Sequence, residues 1–179
     1  RFDVMYNDFV IVGPAADPAG ISGRSDAVAS LKTIADAKAV FASRGDDSGT
    51  HKKELSLWMD AGVDVKAASG TWYRETGSGM GATLNASVGM GAYTMTDRAT
   101  WTAIKNKVEF KISVEVDKAK FNQYGIIQVN PVRCPNVKSG AAKSFVDWIV
   151  TRDGQSAIDA YRLDGKQLFF ANAAREGAS

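Results

Sequence analysis

The chain has 179 residues, of which 45% are hydrophobic and 9% aromatic, a composition typical of a folded globular domain. Its 22 Lys and Arg nearly balance 20 Asp and Glu, and the net charge of +2 gives no electrostatic basis for binding nucleic acid or a membrane surface. The apolar runs are far shorter than the roughly 20 residues of a membrane-spanning helix, and one Cys with one His excludes an internal disulfide or a Cys/His zinc cage.

Strands and helices are predicted to alternate in the first part of the chain. The run DFVIVGP, residues 8–14, is apolar and β-branched and is closed by Gly-Pro, which predicts a strand. Val40–Ser43 is predicted as a second, short and buried strand. The helix predicted between them has four apolar residues on one face: Val28, Leu31, Ile34 and Ala35. This alternation indicates an α/β fold.

The next segments continue the alternation. The run THKKELSLWMDAG predicts a helix with Leu55, Trp58 and Met59 on one face, and Gly62 is placed to end it. The glycine-rich run GSGMG leads into another short helix, and AYTMT is predicted as a strand. Asp97 is predicted to cap a helix that carries Trp101 and Ile104.

The last part of the chain adds two strands and two helices. Alternating apolar residues over 108–116 predict a strand with one solvated face, and 125–131 is predicted as a second strand ending in Asn-Pro. A helix follows with Phe145, Trp148 and Ile149 on its apolar face, and GQSAIDAY predicts a shorter one. The similar strands FVIVGP and IIQVNP bracket one α/β unit, which indicates a hinge.

The nine residues SRGDDSGTH, 43–51, carry the chemistry most indicative of function, and three interpretations compete. An aspartic-protease motif, Asp-Ser-Gly-Thr, requires a second copy, and the chain has none. An RGD tripeptide carries meaning only on an exposed loop. The third interpretation is an anion loop at a helix N-terminus.

The anion-loop interpretation uses more of these residues than the other two. Ser48, Gly49 and Thr50 stand at the start of a predicted helix, where free backbone N–H groups and hydroxyls can donate hydrogen bonds. Arg44 offers a planar, charged fork, which Asp46 or Asp47 would hold in place. The alternative is purely structural, with Ser48 or Thr50 only capping the helix and Arg44 pairing locally.

A resemblance favours the anion loop. The pattern Arg-x-Asp-x-Ser-Gly-Thr, residues 44–50, is similar to the anion-gripping loop of phosphate-binding periplasmic proteins. Over most of the chain, the motifs look like those of the tungstate-binding components of bacterial ABC uptake systems. The motifs, in order, are MYNDFVIVGP, SRGDDSGTHKKELSLW, WYRETGSGMGATLNA, YTMTDRATW and YGIIQVNP.

This resemblance implies a type II periplasmic-binding-protein fold, in which two α/β lobes joined by hinge strands close on an oxyanion. The implied ligand is tungstate or molybdate, held through Arg44, Ser48 and Thr50, with Gly49 also in contact. The resemblance further implies partner ABC permease subunits, a periplasmic or extracellular location, no cofactor and no enzymatic activity. Gly79, Met80 and Gly81 are predicted to add backbone or wall contacts, and the alternative is a tight turn that lets a helix pack closely.

The resemblance also implies an incomplete first lobe, because this chain starts after the family's Ser/Thr-rich N-terminal run. Residues 1–12 are expected to be a remnant of lobe one with the first hinge strand, 13–124 the anion-binding lobe two, and 125–179 the second hinge strand with C-terminal helices. Surplus apolar surface at such a cut predicts self-association.

Three further functional alternatives remain at this point. Phosphate is one, because its cage benefits from a carboxylate acceptor for the bound proton, whereas a fully deprotonated tungstate or molybdate needs donors only. A hydrolase would use Ser48 or Asp47 as nucleophile with His51, the chain's one histidine. A regulatory or adhesive domain could keep the binding fold and lose transport.

Overall fold

The computed structural model describes residues 1–116 and 121–174, which belong to two compact units. The terminal unit comprises residues 1–7 and 122–179, and the central unit comprises residues 8–121. The strands, in chain order, are β1 Phe2–Asn7, β2 Phe9–Pro14, β3 Phe41–Ser43, β4 Tyr73–Glu75, β5 Thr94–Asp97, β6 Phe110–Glu115, β7 Asn122–Ile126, β8 Arg162–Leu163, β9 Lys166–Gln167 and β10 Phe170–Ala171. The helices are α1 Ala27–Asp36, α2 Gly49–Asp60, α3 Met80–Met90, α4 Arg98–Ala103, α5 Ser139–Ile149 and α6 Arg152–Ala160. The predicted α/β class is therefore confirmed.

The central unit is built on β2. This strand lies between β5 and β6 and pairs antiparallel with both, so that Val10 is opposite Thr96 on one side and Glu115 on the other. β3 and β4 run parallel to each other. A parallel bridge between Phe41 and Tyr93, just before β5, connects this pair to the larger sheet.

Helices cover both faces of β2. Ile11 packs in one buried cluster with Leu31 of α1 and Trp58 of α2. Val10 and Val12 belong to a second cluster, whose other members include Leu84 of α3 and Trp101 of α4. Because both faces are buried, the strand reads as a continuous apolar run rather than an alternating one.

The buried face of α2 agrees only in part with the face predicted from the sequence. Trp58 is fully buried as predicted, but Met59 is 74% exposed, so the prediction for Met59 was wrong. The buried face is instead formed by Glu54, Leu57 and Trp58. The sequence pattern favoured the face with Leu55 and Met59 over the face with Glu54 and Leu57, because a buried carboxyl group is not expected among apolar residues.

Two predicted strands have different bounds in the structure. β6 begins at Phe110 rather than at residue 108, because Val108 has a positive φ of 41° in a turn that Phe110 closes with an N–H bond to the Lys107 carbonyl. β7 ends at Ile126, and residues 127–131 are outside the strand.

The terminal unit contains a small sheet of order β10-β1-β7, with β1 antiparallel to both neighbours. Its helix α5 buries Val146, whereas Phe145 and Trp148 are 53% and 44% exposed. Two residues of the predicted apolar face, Phe145 and Trp148, are therefore substantially exposed. No helix in residues 1–116 and 121–174 is long and apolar enough to cross a membrane.

Candidate anion-binding site

The guanidinium of Arg44, the residue that follows β3, is held by Asp46. Its Nε and one terminal nitrogen donate to the same carboxylate oxygen of Asp46, at 3.2 and 2.6 Å. Hydrogen bonds from the Ser48 hydroxyl and then from Arg44 lower the pKa of Asp46 to about 2, so this carboxylate is ionised at neutral pH. Both side chains are largely covered, with 17% and 20% of their surfaces exposed, which fixes the orientation of the fork.

The start of α2 presents backbone donors beside this pair. Ser48 is the N-cap residue, and its hydroxyl accepts from the His51 amide at 3.3 Å. The first helical bond runs from the Lys52 amide to the Ser48 carbonyl, so the amides of Gly49 and Thr50 have no helical acceptor. Within the described part of the chain, the Thr50 hydroxyl has no hydrogen-bond partner. The hydroxyl of Ser48, by contrast, already accepts from the His51 amide.

Gly45 is required by the shape of this loop. Its φ is +60°, and a Cβ atom there would lie 2.7 Å from the Cβ of Glu75. Any side chain would therefore be both strained and in steric conflict with β4. The glycine of the Arg-Gly-Asp tripeptide is thus explained by packing, and the Arg44–Asp46 pairing is internal to the loop.

The start of α3 lies against the same segment. The Ser78 amide donates to the Arg44 carbonyl at 3.1 Å, and the Thr76 hydroxyl donates to the Ser43 carbonyl at 3.1 Å. Gly79 is the N-cap residue and provides no side-chain cap. Since the first helical bond goes from the Thr83 amide to the Gly79 carbonyl, the amides at positions 80–82 have no helical acceptor.

Topology explains why these features meet. β3 and β4 are parallel neighbours, paired from Phe41 with Tyr73 to Ser43 with Glu75. β3 leads into α2 and β4 leads into α3, so both helices begin at the same edge of the sheet. That edge, at the carboxyl ends of parallel strands, is where α/β proteins bind ligands. The structure therefore brings Arg44, the 48–50 segment and the 79–81 segment together.

The exposure of the predicted residues differs along these segments. Gly49, Gly79 and Gly81 are exposed, and a Cβ at any of the three would meet open space. Met80, in contrast, is buried and packs in the cluster with Val10 and Val12. Its side chain therefore belongs to the core, and only its backbone amide is available for a ligand.

Sequence reasoning missed a buried carboxyl group beneath the loop. Glu54 is 1% exposed and accepts hydrogen bonds from the Ser43 hydroxyl at 2.9 Å, the Trp58 indole at 3.2 Å and the Tyr73 hydroxyl at 2.7 Å. Burial raises the pKa of Glu54 to about 7, against the effect of these three donors. The available signal was its spacing, because Glu54 precedes Leu57 and Trp58 by three and four positions.

The hydrolase alternative finds no supporting geometry. The His51 ring accepts from the Asp47 amide through Nδ1 at 3.1 Å. Among the described residues, no hydrogen bond joins the His51 ring to the Ser48 hydroxyl or to the Asp47 carboxylate. The Asp47 carboxylate instead pairs with Lys52 at 3.3 Å. Likewise, no cluster of three or more His, Cys, Asp or Glu side chains suited to a metal ion occurs in the described residues.

Relatives of known name are similar to this chain. It is 45% identical over 179 residues to the tungstate-binding protein TupA of Peptoclostridium acidaminophilum, a match that covers 98% of this chain and 62% of that relative. It is 34% identical over 177 residues to the tungstate-binding protein TupA of Campylobacter jejuni, covering 97% of this chain and 65% of the relative. The chain thus spans between 52% and 65% of the length of the curated relatives it matches.

A solved structure shows the same likeness. The tungstate-binding protein TupA from Desulfovibrio alaskensis G20 is 47% identical, with a TM-score of 0.78, over 97% of this chain and 70% of that one. In addition, residues 1–153 match the PBP superfamily domain. With that match covering more than half of its length, the chain belongs to the PBP superfamily.

Proposed function

We propose that the central unit binds a tetrahedral oxyanion, tungstate or molybdate, for delivery to an ABC permease. One observation carries the proposal: Arg44, whose guanidinium is held by Asp46, follows β3 at the sheet edge where both α2 and α3 begin. The proposed ligand contacts are Arg44, Ser48, Gly49 and Thr50, with backbone contacts from residues 79–81.

The donors supply both charge and hydrogen bonds. Hydrogen bonds to a charged group contribute roughly 1.5–3 kcal/mol each, and nanomolar affinity corresponds to about 12 kcal/mol. The Arg44 fork, the Thr50 hydroxyl and the free amides of α2 and α3 together offer enough donors for a large part of that total. The positive ends of both helix dipoles favour an anion in the same place.

The local carboxylates support a deprotonated ligand over phosphate. One oxygen of Asp46 accepts from Arg44, and the other accepts from the Ser48 amide at 3.3 Å. The Asp47 carboxylate pairs with Lys52. Because the carboxylates of Asp46 and Asp47 are engaged in this way, the loop presents hydrogen-bond donors to a bound anion. It does not present a free acceptor for the proton that a bound phosphate carries. Phosphate is thus the second candidate ligand.

The names of the relatives support the wider role. Both curated TupA proteins and the Desulfovibrio alaskensis structure are named tungstate-binding. A solved structure described as the tungstate ABC transporter from Geobacter sulfurreducens is 46% identical to this chain. From these names we infer permease subunits as partners and a periplasmic or extracellular location, with binding and no catalysis as the activity.

Calorimetric titration with tungstate, molybdate, sulfate and phosphate tests the proposal. We expect the wild-type chain to bind tungstate or molybdate most tightly, and Arg44→Ala to abolish binding with an unchanged circular dichroism spectrum. Arg74→Ala is the matched control, because Arg74 is an exposed arginine of β4 whose Nε donates to the Thr71 carbonyl. Undiminished affinity in Arg44→Ala, or no binding of any of the four anions, would overturn the proposal.

Self-association of the chain also stays a prediction. The exposed rings of Phe145 and Trp148 on α5 support it, because adjacent exposed aromatics are unusual on an isolated monomer. Sedimentation analysis should show a dimer or larger species that Trp148→Ser shifts toward monomer. A monomer at all concentrations would contradict this prediction.

A further inference from the structure

The buried carboxyl group of Glu54 joins the three elements that carry the anion site. Its hydrogen-bond donors are Ser43 on β3, Trp58 on α2 and Tyr73 on β4, and all three side chains are buried with it. Ser43 directly precedes Arg44. Glu54 itself lies on α2, four residues after Thr50, which corresponds to about 6 Å along the helix axis. The carboxyl group is therefore placed directly beneath the loop.

The charges around Glu54 do not neutralise it. None of its three hydrogen-bond partners is a cation, and Glu75, on the same strand as Tyr73, adds a repulsive negative charge that also raises the pKa of Glu54. Burial raises the pKa of Tyr73, so the phenol stays a neutral donor. An ionised Glu54 would thus be a buried negative charge with hydrogen-bond donors but no cation among its partners.

Several charged groups on the adjoining elements are paired. Arg44 after β3 is engaged with Asp46. On α1, which packs against α2, Lys32 and Asp36 form an exposed pair at 3.5 Å. At the start of α2 itself, Lys52 pairs with Asp47. Further titratable groups on α2 are Lys53 and His51, and the His51 ring accepts from the Asp47 amide. On β4, Arg74 donates to the Thr71 carbonyl and Glu75 accepts from the Ser69 hydroxyl.

We propose that Glu54 is a positioning residue whose ionisation weakens oxyanion binding. When neutral, it ties β3, α2 and β4 together without adding charge; when ionised, it places a negative charge within about one helical turn of the anion loop. The inference rests on the proposed oxyanion site. Reciprocity of linkage requires that a bound dianion in turn favours protonation of Glu54, so binding takes up protons near neutral pH. The raised pKa of Glu54, about 7, places this coupling in the accessible range.

The test is calorimetric titration of micromolar tungstate at pH 6.5, 7.5 and 8.5, on the wild-type chain and Glu54→Gln. Glutamine keeps the shape and can still accept from Trp58 and Tyr73, but it cannot ionise. We expect wild-type affinity to fall on the order of tenfold over this range, from the repulsion of a dianion and a buried unit charge. The Glu54→Gln profile should be flat within about twofold. Asp36→Asn is the control, since Asp36 is an exposed carboxylate of α1 that pairs with Lys32, and it should keep the wild-type profile.

A second measurement does not depend on a folded variant. Wild-type titrations at pH 7.5 in two buffers of different ionisation enthalpy should reveal uptake of a fraction of a proton per anion bound. Because histidines as a class change charge between pH 5 and 8, His51→Gln should be titrated in the same way and should retain the uptake.

The outcomes separate this inference from the proposed function. Arg44-dependent binding with equal pH profiles in wild type and Glu54→Gln, or with no proton uptake, would overturn the role of Glu54 and leave the anion site standing. Absence of binding at every pH would overturn both. A pH profile that flattens only in Glu54→Gln would support the inference.

Discussion

Replacing Glu54 with glutamine should change how the stability of the central unit depends on pH. In the folded chain the pKa of Glu54 is about 7, against 4.5 for an ordinary glutamate. A group whose folded pKa is raised contributes stability that is fully present below pH 4.5 and is lost as the pH rises through 7. Linkage converts these two values into a loss of about 2.5 kcal/mol of unfolding free energy between pH 5 and pH 8.

Urea unfolding at pH 5 and pH 8, followed by tryptophan fluorescence, measures this loss. The signal is suitable because Trp58, Trp72 and Trp101 lie in the central unit and Trp58 contacts the carboxyl group directly. Glu54→Gln should be within about 1 kcal/mol of wild type at pH 5 and about 2 kcal/mol more stable at pH 8. Equal pH dependence in the two proteins would refute the reasoning, because the buried carboxyl group would then not be the group that titrates.

Three further substitutions test the anion loop. Asp46→Asn should weaken tungstate binding about tenfold in calorimetry, because it removes the charge that holds the Arg44 fork. Gly45→Ala should lower the unfolding free energy measured in urea by about 2–3 kcal/mol, since it combines a positive φ with a clash against Glu75. Thr50→Ala should weaken tungstate binding about tenfold, the loss of one hydrogen bond to a charged ligand, with unchanged stability.

Each of these predictions has a matched control in the same loop or helix. Asp47→Asn should keep full affinity, because its carboxylate pairs only with Lys52 among the described contacts. Gly62→Ala has a similar φ of +69° but open space around the added Cβ, so it should cost only about 1 kcal/mol. Ser56→Ala, on α2 but away from its N-terminus, should leave tungstate affinity unchanged and serves as the control for Thr50→Ala. If a control substitution lowered affinity or stability as much as the substitution it is matched to, the contact proposed for that residue would be contradicted.

The fold class could be predicted because its signals are local. The apolar run of β2, the helical stripe of α1 and the Asp97 cap each agree with the structure. The failures occur where tertiary packing chose between similar local patterns. Met59 and Leu57 are both apolar and lie two positions apart on α2, so local sequence does not show which of them is buried. Packing in the folded chain buries Leu57 and leaves Met59 exposed.

The local geometry of the candidate loop was predictable where residue chemistry and spacing coincide, whereas its role in anion binding stays a proposal. Ser48 at the start of α2 and the pairing of Arg44 with a nearby carboxylate follow from residue types within a few positions. The approach of the α3 N-terminus to Arg44 did not follow, because it depends on β4 lying parallel beside β3, some thirty residues away in sequence. Glu54 was missed because its three partners come from three separate elements.

The loop combines two carboxylates with a proposed anion site, and the geometry resolves this apparent conflict. Asp46 accepts from the Arg44 guanidinium through one oxygen and from the Ser48 amide through the other. Its negative charge therefore orients these two donors. A guanidinium fixed in this way loses less side-chain entropy when a ligand binds. The Asp46 carboxylate therefore reduces the entropy lost on ligand binding, even though its negative charge makes the electrostatic potential at the loop less favourable to an anion. On the proposal above, Glu54 repels a bound dianion only when it is ionised, and its burial disfavours the ionised form.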